Sequence, residues 1–503
     1  MNAPINNVAE TLRLLKEAMA APNNDILNSA LAKAWVQPGS AVSGLNAYSL
    51  EAPAKLLYPV ITPLRNSIPR VTGGVGIQAN WRAITGINTG SLAIGVSEGN
   101  RGGVQASSTA DYFAAFRGIG MEDYVTFEAQ YAGQTFDDVR ARAVQGLLRG
   151  LMIGEEKVLL GGNTSLALGT TPTPTAVGAI TGGSLAAATY SVICVALTLD
   201  AMLTGSVAGG IRAAVTRPNA DGTSDTYGGG SAKKSVAASA TVASGSAGSI
   251  AASVAAVNGA VGYAWFWGAS GSEVLGAITS INSIVITATA AGTQTAASLG
   301  TNDNSQNGLV FDGLLTQAFK PGSGAYILVQ PTGTIGAGTP LTSDNAGGIV
   351  EFDKVLQALW DNYRLSPSKI WVASQEMNNV GKKILAAPST AAQRFVFNAE
   401  QGMIAGGVAV RSYLNKFTME GMKEIPIGIH PNLTPGTVLF DTEELPYPLS
   451  NVASVRRVLC RQDYYQLEWP LKTRKYEYGV YADEVLQHYF PPSMAVITNI
   501  ANG

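Results

Sequence analysis

Residues Thr135 to Gly162 read TFDDVRARAVQGLLRGLMIGEEKVLLGG, and the rest of the chain is organised around this stretch. Thr135 can cap the first turn of a helix, and Asp138, three residues later, places negative charge at its N-terminus. Apolar residues recur along it at spacings of three to five: Val139, Ala143, Leu147, Met152 and Leu159. This spacing predicts one long helix with a broad buried face.

Polar residues occupy much of the remaining surface of this helix: Arg140, Arg142, Arg149, Glu155, Glu156 and Lys157. Gly161 and Gly162 predict a left-handed residue that ends it. At about 1.5 Å per residue, the helix would be a rod of roughly 38 Å.

The composition favours sheets and loops over a helical bundle. The chain has 503 residues, enough for two or three domains, with only 14% charged residues and 57 glycines. A net charge of −2 provides no general attraction to nucleic acid. A dedicated DNA-binding protein is therefore not expected.

Two cysteines, Cys194 and Cys460, are too few for a disulfide framework or a cysteine zinc site. We expect two buried thiols of a reducing cytoplasm. No signal peptide is recognisable at the N-terminus, and the most apolar window, Leu185 to Leu203, contains polar residues typical of a strand. The sequence thus predicts a soluble protein without a membrane segment.

The region before the long helix predicts an arm followed by a hairpin. Residues 1–60 form an N-terminal arm, and residues 61–130 include an alternating strand from Ile77 to Thr85. Residues from Gly86 to Ala110 are rich in Gly, Ser and Asn and are predicted to be the tip of the hairpin. Since an isolated two-stranded hairpin is marginal in water, it should rest on neighbouring protein, which could be another copy of the chain.

After the helix segment, 131–164, the composition changes sharply. Only nine residues between Pro172 and Val310 are charged, and short alternating runs are separated by Gly/Ser turns. The aromatic cluster of Tyr263, Trp265 and Trp267 favours a small β-sandwich at 165–307 over disorder. Residues 308–503 combine helices with closing strands, which predicts an α+β region.

Catalytic and ligand-binding motifs are not recognisable. His430 and His488 lack an Asp, Ser or Cys partner at a known spacing and are interpreted as turn or packing residues. The run Asp303 to Gly308 begins like a calcium loop, but Leu314 stands where the bidentate Glu is needed. We therefore predict no catalytic residue, metal site or cofactor, and no enzyme.

The order of these parts resembles that of tailed-bacteriophage major capsid proteins of the Hong Kong 97 type. The resemblance rests on the strand of Trp81, the glycine-rich tip, the helix from Thr135, the run Gly308–Leu314 and the helix of Trp360 with the following strand, Ser368–Ser374. It implies an α+β fold with N-arm, extended loop, spine helix, peripheral domain and axial domain. The sandwich would be an immunoglobulin- or fibronectin III-like insertion.

The resemblance also implies a function. Such proteins self-assemble into hexamers and pentamers of an icosahedral head that encloses double-stranded DNA without sequence-specific contacts. Scaffolding, portal and decoration proteins would be further partners, and the virion, assembled in the host cytoplasm, would be the location. The alternatives are an encapsulin-like nanocompartment shell, or a surface adhesin or carbohydrate-binding protein built on the sandwich.

Candidate contact residues follow from the same resemblance. On the extended loop they are Trp81, Arg82, Glu98, Arg101, Asp111 and Arg117, and on the spine helix Thr135, Asp138, Arg142 and Arg149. Some members of the family cross-link the loop to a neighbour through a lysine–asparagine bond. The sequence has no lysine between Lys55 and Lys157, so we expect a shell without that bond.

Overall fold

The computed structural model describes residues 57–87, 94–134, 137–219, 221–385 and 410–503. By its contacts the chain divides into two compact units, one of residues 1–58 and 128–139 and one of residues 59–127 and 140–503. Helix α2 (Phe127–Gly133) makes up most of what is described of the smaller unit. The predicted N-terminal arm and the capping residue Thr135 lie outside the described residues.

The long helix predicted from the sequence is present as α3 (Val139–Gly161), with 23 residues. Its buried apolar side is formed by Leu147, Leu151, Leu159 and Leu160. The prediction that Glu155 and Glu156 belong to its polar surface is wrong, because both carboxylates are completely buried.

The predicted left-handed stop is also wrong, since neither Gly161 nor Gly162 has a positive φ. Glycine is needed there for close packing. A Cβ on Gly161 would lie 2.8 Å from Cβ of Leu199, and one on Gly162 would lie 2.9 Å from the carbonyl oxygen of Val158. The end of the helix therefore has no room for a side chain.

A four-stranded sheet packs beside α3. Its strands, in the order β1-β19-β20-β4, are β1 (Arg70–Thr72), β19 (Arg456–Glu468), β20 (Lys475–His488) and β4 (Arg117–Thr126). Strand β1 is parallel to β19, and the other pairs are antiparallel. Helix α1 (Pro63–Ser67) precedes β1, and its Leu64 shares one hydrophobic core with Leu159, Leu160 and Val485.

The predicted hairpin consists of β2 (Gln78–Ile87) and β3 (Ser107–Ala115), which pair only with each other among the described strands. Both strands extend further into the predicted tip than the alternation indicated. The next run, β4, pairs with β20 and leaves the hairpin.

Between α3 and the last third of the chain, seven strands form two sheets. One has the order β13-β10-β5 and the other β12-β11-β6-β9. Their bounds are β5 (Thr175–Ala179), β6 (Ala188–Leu197), β9 (Ala238–Val242), β10 (Ser249–Ser253), β11 (Gly262–Gly268), β12 (Val274–Thr279) and β13 (Ser283–Ile286). Both sheets contribute to one core, with Ile250 and Ile286 from the first and Cys194 and Trp265 from the second.

The second sheet of this region is buried on both faces. Alternate residues of β6 and β11, such as Val195 and Phe266, enter another core with helix α4 (Leu199–Thr204). This explains why β6 reads as a continuous apolar run rather than an alternating one. A separate hairpin, β7 (Ala214–Pro218) and β8 (Ser224–Gly228), extends from the region.

The last part of the chain is built on a mixed six-stranded sheet of order β14-β21-β18-β15-β17-β16. Its strands are β14 (Tyr326–Val329), β15 (Lys369–Val372), β16 (Ser412–Asn415), β17 (Lys423–Ile429), β18 (Val438–Asp441) and β21 (Ala495–Thr498). Helix α5 (Leu314–Phe319) precedes β14, and helices α6 (Val350–Tyr363) and α7 (Ser374–Leu385) flank β15 along the chain. The fold class is mixed helix and sheet, as predicted.

Candidate assembly interface

The two faces of the β2–β3 hairpin differ. Residues opposite each other in an antiparallel pair point to the same side. One face carries Ala79, which is buried, and Trp81, whose ring stacks on Tyr112 at 5.9 Å and meets the edge of Tyr489 at 5.9 Å. This inner face therefore rests on the chain's own four-stranded sheet.

The outer face of the hairpin is exposed and partly apolar. Phe113 and Ile84 expose 68% and 67% of their surface, and between them lies the pair Arg82–Asp111. In the following loop Ile94, Val96 and Val104 are exposed as well. The hairpin thus presents large apolar side chains that the described part of its own chain leaves uncovered.

The predicted contact residues do not all lie on that outer face. Trp81 faces inward. Arg82 and Asp111 bind each other at 2.5 and 2.8 Å, and the guanidinium lowers the pKa of Asp111 through these hydrogen bonds. Glu98 and Arg101 are exposed in the loop. Arg117 stands at the start of β4, opposite Glu484 of β20.

On the helix, Arg149 is exposed and Arg142 is half-buried. Asp138 precedes the first turn of α3 and is exposed. The contacts of all these residues with a neighbouring copy remain a prediction.

A buried joint beside the hairpin is made by Glu156. Its carboxylate accepts hydrogen bonds from the backbone N–H groups of Leu64 at 2.9 Å and Arg65 at 2.8 Å, in the first turn of α1. It also lies 2.6 Å from Nε2 of His430, which is buried as well. One carboxylate of α3 therefore holds both a helix N-terminus and the turn after β17.

A second joint surrounds Arg70 of β1, just before the hairpin. Its guanidinium binds Glu484 of β20 at 2.6 Å and Asp463 of β19 at 2.6 Å, and it also contacts Glu155 of α3. Burial works against the charge on Arg70, but Glu484 and Glu155 together raise its pKa. Three elements are thus tied to β1 by one cation.

Glu484 is the carboxylate of this group whose negative charge is least compensated. Burial, and then repulsion by Glu155, raise its pKa to about 7, although Arg70 acts in the opposite direction. Its Oε1 is buried without a hydrogen-bond partner among the described residues, while Oε2 binds Arg70. A proton on Oε1 would relieve the excess of buried negative charge.

Arg456 forms a third buried group. Its guanidinium lies 2.7 Å from Asp441 and 2.6 Å from Glu443, which joins β19 to the strand β18 of the mixed sheet. The nearby ring of His488 is completely buried, and burial together with the charge of Arg456 lowers its pKa to about 3. His488 is therefore a buried side chain with a neutral ring.

Sequence reasoning missed the buried carboxylates. A signal was present, because Leu147, Leu151, Glu155 and Leu159 are spaced by four and share one side of the helix. A Glu in an apolar stripe is a candidate for a buried pair. Its partners Arg70 and Tyr464 could not be found, since they lie 85 and 309 residues away in the chain.

The two-sheet region is attached to the rest of the chain at both ends. Asn163, just after α3, binds the carbonyl oxygens of Leu166 and Ser305, which holds the entering and leaving segments together. At the far end Asn282 and Asn499 exchange hydrogen bonds at 2.8 and 3.1 Å. These side-chain bonds connect the region to the last strand of the mixed sheet.

In the part of the chain that the structure describes, no group of three or more His, Cys, Asp or Glu residues could hold a metal ion. Cys194 and Cys460 are buried free thiols, and burial raises the pKa of both, that of Cys460 to about 12. Within the described ranges, none of the helices combines the length and apolar character that a membrane crossing needs.

Comparison with known proteins gives structural neighbours only. No protein-family model and no curated protein sequence matches the chain. Among solved structures, the chain is similar to the capsid of the Myoviridae phage XM1, with 8% identity, 92% of this chain and 100% of that chain covered, and a TM-score of 0.41. The capsid of the native GTA particle gives 8% identity, 91% and 96% coverage and a TM-score of 0.39. The encapsulin of the holo-SrpI complex from Synechococcus elongatus gives 16% identity, 38% and 57% coverage and a TM-score of 0.22. The chain thus resembles tailed-phage capsid proteins in structure, as the order of its elements predicted.

Proposed function

We propose that this chain is the major capsid protein of a tailed bacteriophage, a structural subunit without catalytic activity. Copies of it would assemble into hexamers and pentamers of an icosahedral head that encloses double-stranded DNA. In this assignment the β2–β3 hairpin is the extended loop and α3 the spine helix. The four-stranded sheet would belong to the peripheral domain and the six-stranded sheet to the axial domain.

The outer face of the hairpin carries this proposal. Large apolar side chains left exposed on a two-stranded ribbon indicate an interaction surface, because such a ribbon is marginal in water unless something covers it. Phe113 and Ile84 lie on such a ribbon and remain exposed. In a self-assembling shell, a second copy of the chain would cover this face, because every subunit carries the same face.

The buried joints at the base of the hairpin support the same role. Arg70 and the Glu156 carboxylate fix the segment that leads into β2 to the long helix and the four-stranded sheet. A hairpin that bridges two subunits transmits force to its base, so a rigid base suits it. Breaking any one of these buried pairs would leave an uncompensated charge, which is costly.

We assign the two-sheet region as an immunoglobulin- or fibronectin III-like insertion. Its support is the common core of the two sheets, and no disulfide takes part because Cys194 is a free thiol. Scaffolding, portal and decoration proteins are proposed as further partners. Contacts with the packaged DNA would be independent of sequence, in keeping with a net charge of −2.

Electron microscopy of the purified full chain tests the proposal. We expect closed shells or six-fold capsomers, and sedimentation should show species far larger than the 52.1 kDa subunit. Small, uniform shells with a protein cargo and without DNA would favour the encapsulin alternative. A monodisperse monomer at all concentrations and salt conditions would refute a shell function.

A further inference from the structure

A cleft of about 860 Å³ lies between the β7–β8 hairpin and the four-stranded sheet. Its floor is formed by β4 and β20, one side by the loop that follows β19, and its roof by Arg217 and Pro218 of β7. Clefts of a few hundred to about 1,000 Å³ between two parts of a chain are the usual place for small ligands. The proposed shell function makes no use of it.

Two aromatic rings, inclined to each other by 54°, lie beside the floor of this cleft. A Cβ on Gly120 would lie 2.6 Å from Cε1 of Tyr481, and one on Gly479 would lie 2.6 Å from Cη2 of Trp469. Each ring therefore rests on glycine backbone. The ring centroids are 6.2 Å apart, and the ring of Tyr465 packs against Tyr481 with a centroid distance of 5.8 Å. Tyr481 and Trp469 both line the cleft and together form a bent aromatic platform.

Polar groups stand around this aromatic platform. Glu122 accepts the hydrogen bond of the Tyr481 hydroxyl, which leaves further lone pairs of the carboxylate for a ligand. Burial and this bond to a carboxylate raise the pKa of Tyr481, so its hydroxyl stays a donor. Glu477 lies beside Lys475 at 3.7 Å, and Lys472 is exposed at the edge of the cleft.

The charged residues that line the cleft indicate which class of ligand it can bind. It has two cations, Arg217 and Lys472, against three carboxylates, Glu122, Asp221 and Glu477. A polyanion such as a nucleic-acid strand needs a basic groove, which this balance does not provide. A neutral sugar instead offers an apolar face of C–H groups to an aromatic ring and hydroxyls to carboxylates and cations around it.

We propose that this cleft binds a short neutral oligosaccharide, whose pyranose rings stack on Trp469 and Tyr481 and whose hydroxyls bind Glu122 and Arg217. The site is independent of the shell function, since a subunit with or without assembly would carry it. Trp469 directly follows β19 and is only half-buried. It can therefore be replaced with less risk to the fold than Tyr481.

The test uses the purified full chain and a panel of neutral trisaccharides: maltotriose, cellotriose, mannotriose and chitotriose. Saturation-transfer NMR and calorimetry should detect binding of at least one of them. Trp469→Ala should weaken it at least ten-fold, and Trp469→Phe should restore most of it. Tyr124→Ala is the matched control, because Tyr124 is an exposed aromatic residue of β4 outside the cleft lining.

Thermal unfolding of each variant verifies that the fold is retained, and Trp469→Phe keeps the test decisive if the alanine variant unfolds. Absence of binding by all four sugars overturns the proposal, as does an equal loss in the Trp469 and Tyr124 variants. Binding of single-stranded oligodeoxythymidine that competes at this site would also overturn it, in favour of a nucleic-acid groove.

Discussion

The carboxylate of Glu156 lies 2.6 Å from Nε2 of His430, and neither side chain reaches solvent. The two residues are 274 positions apart in the chain. Their contact joins the last turns of α3 to the turn that follows β17, where the imidazole also meets the edge of Trp371 at 5.5 Å. The long helix and the mixed sheet are therefore held together by a polar contact within an apolar core.

Removing one partner of this contact should destabilise the chain. His430→Ala leaves the Glu156 carboxylate buried with one partner fewer and opens space beside Trp371, so we expect a loss of about 3–5 kcal/mol in the free energy of unfolding. Urea denaturation measures it. Arg149→Ala, on the exposed side of α3, is the control and should change stability by less than about 0.5 kcal/mol. Equal effects of the two variants would contradict the assigned role.

Glu484 should make stability depend on pH. Its pKa rises from 4.5 to about 7 on folding. Between these values Glu484 binds more protons in the folded than in the unfolded chain, so this contribution is complete below pH 4.5 and is lost as the pH rises through 7. The full loss corresponds to about 3 kcal/mol. The lowered pKa of Asp463 acts below pH 3.8, and the pKa of His488, lowered from 6.5 to about 3, acts in the opposite direction to Glu484, so the contribution of Glu484 is measured as a difference between variants.

Glu484→Gln should remove this dependence, because the amide keeps the shape and cannot ionise. Relative to the variant, the denaturant midpoint of the unaltered chain should fall as the pH rises from 4.5 to 8. Asp483→Asn, which changes the adjacent carboxylate bound to Arg461, serves as the control and should keep the profile of the unaltered chain. Parallel profiles of the unaltered chain and Glu484→Gln would contradict the coupling of Arg70, Glu155 and Glu484.

Two glycines of α3 should respond oppositely to the same substitution. A Cβ on Gly154 meets nothing within 4 Å, so Gly154→Ala should stabilise the subunit by about 1 kcal/mol through helix propensity. A Cβ on Gly161 would lie 2.8 Å from Cβ of Leu199, so Gly161→Ala should destabilise it by about 1–3 kcal/mol. Thermal unfolding of both variants tests this, and the same sign for both would contradict the packing at the helix end.

The outer face of the hairpin should matter for assembly and not for folding. Ile84→Ser combined with Phe113→Ser should change subunit stability by less than about 0.5 kcal/mol per site, since both side chains are already in water. We expect at least a ten-fold lower yield of particles in sedimentation and electron microscopy. Val236→Ser is the control, because its side chain is 68% exposed in the two-sheet region. Unchanged particle yield in the hairpin variant would refute this face as the subunit contact.

The elements with strong periodicity could be predicted from the sequence because the pattern is local. Leu147, Leu151 and Leu159 repeat at helical spacing, and the alternation from Ile77 identified β2. The rings of Tyr263, Trp265 and Trp267 required a core, and all three are buried in it. By contrast, no sequence pattern around Gly161 indicates the close approach of Leu199, so the sequence predicts only a helix stop at this glycine.

What the sequence by itself determined is the kind and order of the elements: a long helix between an exposed hairpin and a low-charge, two-sheet region. Only the tertiary structure decided where charge is buried. Glu155 and Glu156 are residues of the type found on solvated helix surfaces. Their burial is favourable only because distant groups pair with them. Arg70 and His430 come from strands and turns far away in the chain, and no spacing in the sequence specifies that they meet.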